Sequence, residues 1–275
     1  MNKIVVIGLS NIDYMGFPFN KLIPKDSNLG TVTISFGGVG RNICENLLRL
    51  GHKITFMTCI GKDTNGENLE KELVSLGCNI IKPLTDKPSA SYLCINDEKN
   101  DMALALCDES IASELNIDFL DKNREVLEKS EYIVLDANLK EEVIDYITKT
   151  YSHKKLIADG ISTVKVRRFK NSLSRLYLLK VNSMEYNEIK EFAKPQNLIV
   201  TKGSKSIDYY DGEKWNIIDV TPAPYVVSTT GCGDALLSGT ISGLVKGYDF
   251  FRAIHEGQEI AKKTLSVRES VYKGN

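Results

Sequence analysis

The chain has 275 residues, 42% hydrophobic and 26% charged, with a formal net charge of -1. That is an ordinary globular composition, long enough for one sizeable core and an appendage, and its near-zero charge removes any electrostatic case for nucleic acid or an anionic membrane surface. No apolar run reaches the ~18 residues of a membrane span.

The six cysteines are scattered without a C-x-x-C pair. Most lie in apolar runs, as reduced buried thiols do, and no histidine is near them. Neither a structural disulfide nor a zinc site is expected. The N-terminus opens straight into a strand pattern without the regions of a signal peptide, so the chain reads as cytoplasmic.

Ile4–Ile7 is a short apolar run that reads as a buried strand. Asn11 and Asp13 follow at its carboxyl end, where ligands of open α/β sheets gather. Residues 14–35 are rich in Gly, Pro, Asn and aromatics and end in the alternating run Thr31–Ile34, a composition foreign to a core βαβ unit. Phe36-Gly-Gly-Val-Gly-Arg-Asn42 then leads into a helix with Ile43, Leu47 and Leu50 on one face and Gly51 at its end. The glycines permit close backbone approach, and Arg41 and Asn42 add donors able to hold hydroxyls. Lys53–Ile60 reads as a strand ending at Gly61-Lys-Asp63, a turn assigned to structure. A helix over Asn65–Leu76 and a strand from Asn79 continue the α/β rhythm. Ser89–Ile95 and Met102–Leu106 are two strands joined by the turn-forming Asn96–Asp101.

From residue 130 the alternation is regular. Tyr132–Asp136, Lys155–Ala158, Leu176–Lys180 and Leu198–Thr201 read as strands, with a helix over Glu141–Thr150. Polar groups recur at the strand carboxyl ends: Asp136 to Asn138, Asp159, Asn182 and Lys202. Asn182-Ser-Met-Glu185 fits a helix cap with an acid at its third position, a reading that leaves room for the second one that the resemblance below implies. Ser206–Tyr210 and Gly212–Ile218 form a hairpin by pattern, and Phe251–Leu265 is the last helix.

Between them lies Ser228-Thr-Thr-Gly-Cys-Gly-Asp234, entered from a strand-like run, Pro224–Ser228, and followed by Leu237, Ile241, Leu244 and Val245 at helical spacing. Glycines before a helix start turn N–H groups toward an anion. A carboxylate there would repel phosphate, unless its task is to take the proton of a hydroxyl attacking phosphorus. Asp234 also fits an ordinary first-turn helix acid. Neither glycine cluster is a Walker loop or a dinucleotide fingerprint.

The early GGxGxN and the late TTGxGDAxxxG together resemble the PfkB (ribokinase-like) family of sugar and nucleoside kinases, over essentially the whole chain. The run Ser35–Leu47, with GGVGRN-x-x-EN, looks most like its pseudouridine kinase branch, as does Asp159–Lys165. The resemblance implies one α/β domain over 1–275: a doubly wound, mostly parallel sheet with a small β-sheet lid from segments near 12–35 and 89–107. It implies an ATP-dependent enzyme phosphorylating the 5′-hydroxyl of pseudouridine, or else another sugar or nucleoside such as ribose, fructose, inosine or adenosine. A non-catalytic sugar or nucleoside binder on the same fold is the rival outside enzymes. Asp234 would be the general base, with Gly231, Cys232 and Gly233 as the anion hole. Asp13, Gly38, Arg41, Asn42 and Asp108 would meet the substrate. Asn182, Lys202, Gly203 and Thr230 would meet the nucleotide, and Glu185 would hold Mg2+ through water. Lids of this kind pair between subunits, so a homodimer is expected.

The chain departs from the family pattern at Ser228, where Asp is usual, which leaves monovalent-cation activation open. Cys232 replaces the usual Ala, at a helix start where a thiol pKa can be depressed; a small residue tolerated there is the favoured reading. Val181 replaces the Pro of Lys-Pro-Asn, and no role is attached to it.

Overall fold

A computed structural model describes residues 3–274 of the chain. In chain order its strands and helices are β1 (Ile4–Ile7), β2 (Asn11–Pro18), β3 (Gly30–Gly37), α1 (Val39–Arg49), β4 (Ile54–Met57), α2 (Thr64–Ser75), β5 (Asn79–Ile81), β6 (Ala90–Asn96) and β7 (Met102–Asp108). They continue with α3 (Ile117–Lys122), α4 (Arg124–Lys129), β8 (Tyr132–Asp136), α5 (Glu141–Thr150), β9 (Lys155–Asp159), β10 (Leu178–Asn182), α6 (Ser183–Ile189) and β11 (Asn197–Thr201). The chain closes with β12 (Ser206–Tyr210), β13 (Trp215–Asp219), α7 (Cys232–Val245) and α8 (Phe250–Leu265).

Nine strands form the main sheet in the order β13-β12-β11-β10-β9-β8-β1-β4-β5. Every neighbouring pair from β11 to β5 is parallel, and the β12–β13 hairpin adds an antiparallel edge. The interior strands are apolar on both sides because helices cover both faces. Val5, Ile7, Leu156 and Leu179 pack beneath α3 to α6, while Ile4, Val6, Ile157 and Leu178 pack beneath α1, α2, α7 and α8. The chain leaves β1 toward β4 and β5, then returns to β8 on β1's other side, so the strand order reverses between β1 and β8. Crevices at such reversals are the usual ligand sites of open α/β sheets.

The second sheet, β3-β2-β6-β7, is the expected lid, built from the two segments the sequence singles out. Asn11 and Asp13 lie inside lid strand β2, paired with β3 and β6, and are not loop residues at the end of β1. Two further differences are plain. Pro224–Ser228 forms no strand; its polar backbone lies exposed, with Val227 N–H donating to Leu265 O at 2.8 Å. Residues 109–129, unassigned in the sequence, hold α3 and α4, too short for a periodic signal. Asp63 is structural as expected: it caps α2 through Gly66 N–H at 2.8 Å and accepts Ser89 N–H at 2.6 Å.

α7 is buried from Asp234 to Leu244 although it carries Ser238, Gly239, Thr240, Ser242 and Gly243. Those small residues let α8 approach closely, Gly239 against Gly257 and Gly243 against Ala253. All six cysteines are free thiols. Among the described residues no helix is long and apolar enough to cross a membrane.

Candidate active site

Side chains alternate between the faces of a strand, so parallel strands in register carry like-placed residues onto one face. Asp136 of β8 stands opposite Asp159 of β9, and Asp159 opposite Lys180 of β10. Each lies two residues beyond a core residue of the α7 side: Val134, Ile157 and Leu178. The result is a buried rung of three charged side chains at the carboxyl edge of the sheet. Lys180 Nζ pairs with Asp159 Oδ2 at 2.9 Å. Asp136 accepts Leu9 N–H at 2.8 Å and Gly40 N–H at 3.0 Å, joining the end of β1 to the start of α1 across the strand-order reversal. Burial pushes its carboxyl up to about 6 despite those hydrogen bonds.

The start of α7 lies over this rung. Gly231 adopts φ 77°, and a Cβ there would overlap the Ser270 carbonyl, so only glycine fits. The N–H of Cys232 donates to Thr229 O at 3.3 Å. The N–H groups of Gly231, Gly233 and Asp234 have no hydrogen-bond partner among the described residues, which leaves them free for an anion. Asp234 itself is buried and accepts Asn42 Nδ2–H at 2.8 Å. The Asn42 amide is oriented from its other end, where Oδ1 accepts from Ser270 Oγ at 3.0 Å and Arg41 Nη1 at 3.2 Å. Arg41 is buried; besides Asn42 it donates to Phe36 O and pairs with Glu45 and Glu72, while its Nε has no hydrogen-bond partner among the described residues. Burial raises the Asp234 pKa and nearby Asp159 adds to it, while Lys180 and Asn42 pull it down; it ends at about 7. A carboxyl poised there can accept a proton near neutral pH and release it afterwards.

Burial, then the charge of Asp234, push the Cys232 thiol up to about 11, opposite to the depression a helix start can cause, which favours the reading of a small residue tolerated there.

The lid reaches this neighbourhood through Asp13. Its carboxylate accepts from Asn11 Nδ2 and packs onto Gly37, where a side chain would collide with it. Burial lifts its pKa to about 6, with the Arg41 charge and the Asn11 amide acting against the rise. Gly38 turns the chain into α1 at φ 96°. Asp108 is exposed at the end of β7, and its carboxylate accepts Ser110 N–H at 3.0 Å, which holds its pKa low. Its neighbour Glu109 pairs with Lys165, which donates to Asn138 Oδ1 at 2.6 Å and so ties the lid to the end of β8.

Both readings of Asn182 and Glu185 survive. Asn182 Oδ1 accepts Met184 and Glu185 N–H, each at 2.9 Å, and Glu185 Oε2 accepts Asn182 N–H at 2.9 Å, a complete capping box. Glu185 is buried, burial raises its pKa, and Asn182 Nδ2 holds its second oxygen at 2.6 Å. Among the described residues no cluster of three His, Cys, Asp or Glu side chains could hold a metal ion. One buried carboxylate with engaged oxygens fits a magnesium ion carried mainly by phosphate and water. Lys202 lies on the opposite face of the sheet from Asp234. It pairs with Asp208 and lines a cavity of about 280 Å³ with Ser183, Tyr186, Asn187 and Trp215. Gly203, at φ 64°, faces open space, and Thr230 is exposed with its N–H on Ser228 Oγ at 3.1 Å.

The structure thus gathers Asn42, Gly231, Gly233 and Asp234, with Asp13 and Gly38 beside them. It also adds residues that the sequence reading left without a role: Asp136, Asp159, Lys180 and Ser270. The first three share one phase at the ends of predicted strands, a signal present in the sequence. Ser270, 36 positions after Asp234, carries none.

The chain is similar to known kinases along nearly its whole length. The chain is 28% identical to the pseudouridine kinase of Escherichia coli (strain K12), covering 96% of this chain and 90% of that one. It is 25% identical to the guanosine-inosine kinase of Exiguobacterium acetylicum, covering 98% and 96%. A solved carbohydrate kinase from Agrobacterium tumefaciens superposes with a TM-score of 0.87 at 25% identity, over 100% of this chain and 94% of that one. The description of the pfkB family carbohydrate kinases matches residues 1–272, lid and sheet alike, so the chain belongs to that family and is a sugar or nucleoside kinase.

Proposed function

We propose that the enzyme transfers the γ-phosphoryl group of ATP to the 5′-hydroxyl of pseudouridine. The observation that carries the chemistry is Asp234, buried at the start of α7 beside unpartnered N–H groups and held near pH 7. The substrate assignment is supported by the GGVGRN-x-x-EN run and by the extent of similarity to the Escherichia coli pseudouridine kinase.

In this reading Asp234 takes the proton of the attacking hydroxyl as the oxygen–phosphorus bond forms. The bond to the leaving ADP oxygen breaks, and its electron pair departs with ADP. The N–H groups of Gly231 and Gly233 stabilise the charge on the phosphoryl group in flight. Asn42 orients Asp234, and Asp13 and Gly38 position the sugar. Asp108 and Arg41 border the substrate. Asn182, Lys202, Gly203 and Thr230 border the nucleotide. Mg2+, when bound with the nucleotide, neutralises phosphate charge, and Glu185 would meet it through water. Closure of the lid excludes water and so suppresses hydrolysis of ATP.

A second nucleoside reading has its own support, since the guanosine-inosine kinase is matched along nearly its whole length. The lid exposes Val32, Ile34, Leu104 and Leu106, an apolar strip suited to a second copy, and the enzyme is proposed to work as a lid-paired dimer in the cytoplasm. The test is ADP release from Mg-ATP with pseudouridine, uridine, inosine, guanosine, ribose and fructose. Strongest turnover on pseudouridine supports the assignment, and strongest turnover on another compound moves it. No turnover on any, from protein that still binds ATP, replaces the enzyme with a binding protein.

A further inference from the structure

Lys180 has no role in the mechanism above, yet its position is unusual. It is buried on the sheet face beneath α7, and its Nζ lies against Gly233, close enough that a Cβ on that glycine would overlap it. The N-terminus of a helix carries partial positive charge, so a cation is the wrong neighbour for it on grounds of stability alone. A buried ion pair is also a weak source of stability, because desolvation offsets most of the attraction. Apolar residues at 159 and 180 would have continued the core with less cost. The arrangement makes sense if a second anion comes to the same place.

We propose that Lys180 is a catalytic residue: its ammonium group contacts the phosphoryl group in transit at the start of α7 and stabilises the transition state's charge. This rests on the kinase reading of Asp234. Asp159 takes one of the three Nζ donors, and among the described residues no other hydrogen-bond partner takes the remaining two. Nζ itself lies against Gly233, whose N–H is one of the free groups at the start of α7. Lys180 gives up no proton in the step; the hydroxyl proton goes to Asp234 and the leaving electron pair to ADP. The second effect of Lys180 is on Asp234. The charged and polar groups around that carboxyl are Asp136 from β8, Asp159 from β9, Lys180 from β10, Asn42 from α1 and Cys232 on its own helix. Glu185 of α6 faces Lys180 from the far side. Lys180 is the cation that lowers the Asp234 pKa most, with Arg41 one residue further off behind Asn42, so its removal leaves Asp159 and Asp136 as the nearest charges acting on Asp234. Gly233 follows from the same geometry, since any side chain there would displace Nζ.

The test uses the full chain and whichever acceptor the unmodified enzyme turns over best. Lys180→Met is expected to lower kcat by ~10²–10³-fold, as loss of one oxyanion donor does, with less than about fivefold change in KM for ATP. The acid limb of its kcat profile should move to higher pH. Gly233→Ala should show a smaller kcat loss of the same kind. A kcat within threefold of the unmodified enzyme, an effect confined to KM, or an unmoved acid limb would overturn the proposal. Should Lys180→Met fail to fold, the double variant Asp159→Asn with Lys180→Met removes both buried charges and is read by kcat and KM alone, because loss of Asp159 offsets the effect of Lys180 on the acid limb. If the unmodified enzyme transfers phosphate to no acceptor, it is the kinase reading that fails, before any variant is compared.

Discussion

Asp234 is held at the edge of ionisation by opposed neighbours, and that has measurable consequences for both rate and stability. With its pKa at about 7, kcat should climb as pH rises through neutrality and level off above it. Asp234→Asn should lower kcat by ~10²–10⁴-fold, the usual worth of a positioned base, while nucleotide binding persists. Turnover near that of the unmodified enzyme would remove it as the base. The same shift affects folding. The unfolded carboxyl ionises near 3.8 and the folded one near 7, so the folded state binds the extra proton and stability falls as pH rises between those values. Asp234→Asn should therefore melt above the unmodified protein at pH 8, with the gap closing near pH 4. A lower melting temperature at pH 8 would show that the ionised carboxylate stabilises the fold. Asn42→Ala removes one of the groups holding the pKa down, so its acid limb should move upward in a kcat–pH profile.

At the scale of elements, the start of α7 depends on the chain's last residues. Gly231 combines a left-handed backbone with contact against Ser270, whereas Gly203 has a similar backbone and open space around it. Alanine in the left-handed region costs roughly 1–2 kcal/mol. Gly203→Ala should lose about that much in a denaturant melt, and Gly231→Ala more, with a drop in kcat because Ser270 also holds Asn42. Equal losses at the two positions would refute the contact. This difference could not be read from the sequence, where both are glycines before polar residues. Interior strands and the long helices were legible, because apolar runs and a 3.6-residue period are local properties. So was the pairing of Asn182 with Glu185, whose two readings share one geometry. Pro224–Ser228 misled because an apolar β-branched run signals a buried strand, whereas here it runs exposed and bonds to the end of α8. Ser270 was invisible because its meaning comes from a contact across 228 positions.

Across the whole molecule, the lid is one place where the chain leaves several apolar side chains uncovered on neighbouring positions, besides scattered ones such as Leu84, Val164 and Ile217. The exposed strip on β3 and β7 includes Val32, Ile34, Leu104 and Leu106. If two lids pair, Ile34→Lys with Leu104→Lys should convert a dimer to a monomer in light scattering and leave the melting temperature of the protomer little changed. A mass unaffected by the double substitution would exclude this surface as the interface. Sheet order was only partly legible at this scale. The α/β rhythm implies a parallel sheet, but that β1 lies between β8 and β4, with Asp136 bridging to α1, follows from tertiary packing.

The charged rung of Asp136, Asp159 and Lys180 belongs to the interior of the sheet, whereas the parts proposed to meet the sugar belong to the lid and to the entry and first turn of α1. Chemistry and selectivity can therefore diverge on separate schedules. Exchanging lid segments with another nucleoside kinase should change which compound is accepted and leave the acid limb where it was. Retuning the response to pH through the rung means altering strands in which a slip of one residue would turn each of their charged side chains to the opposite face. A lineage could change its diet many times over the same unaltered proton balance.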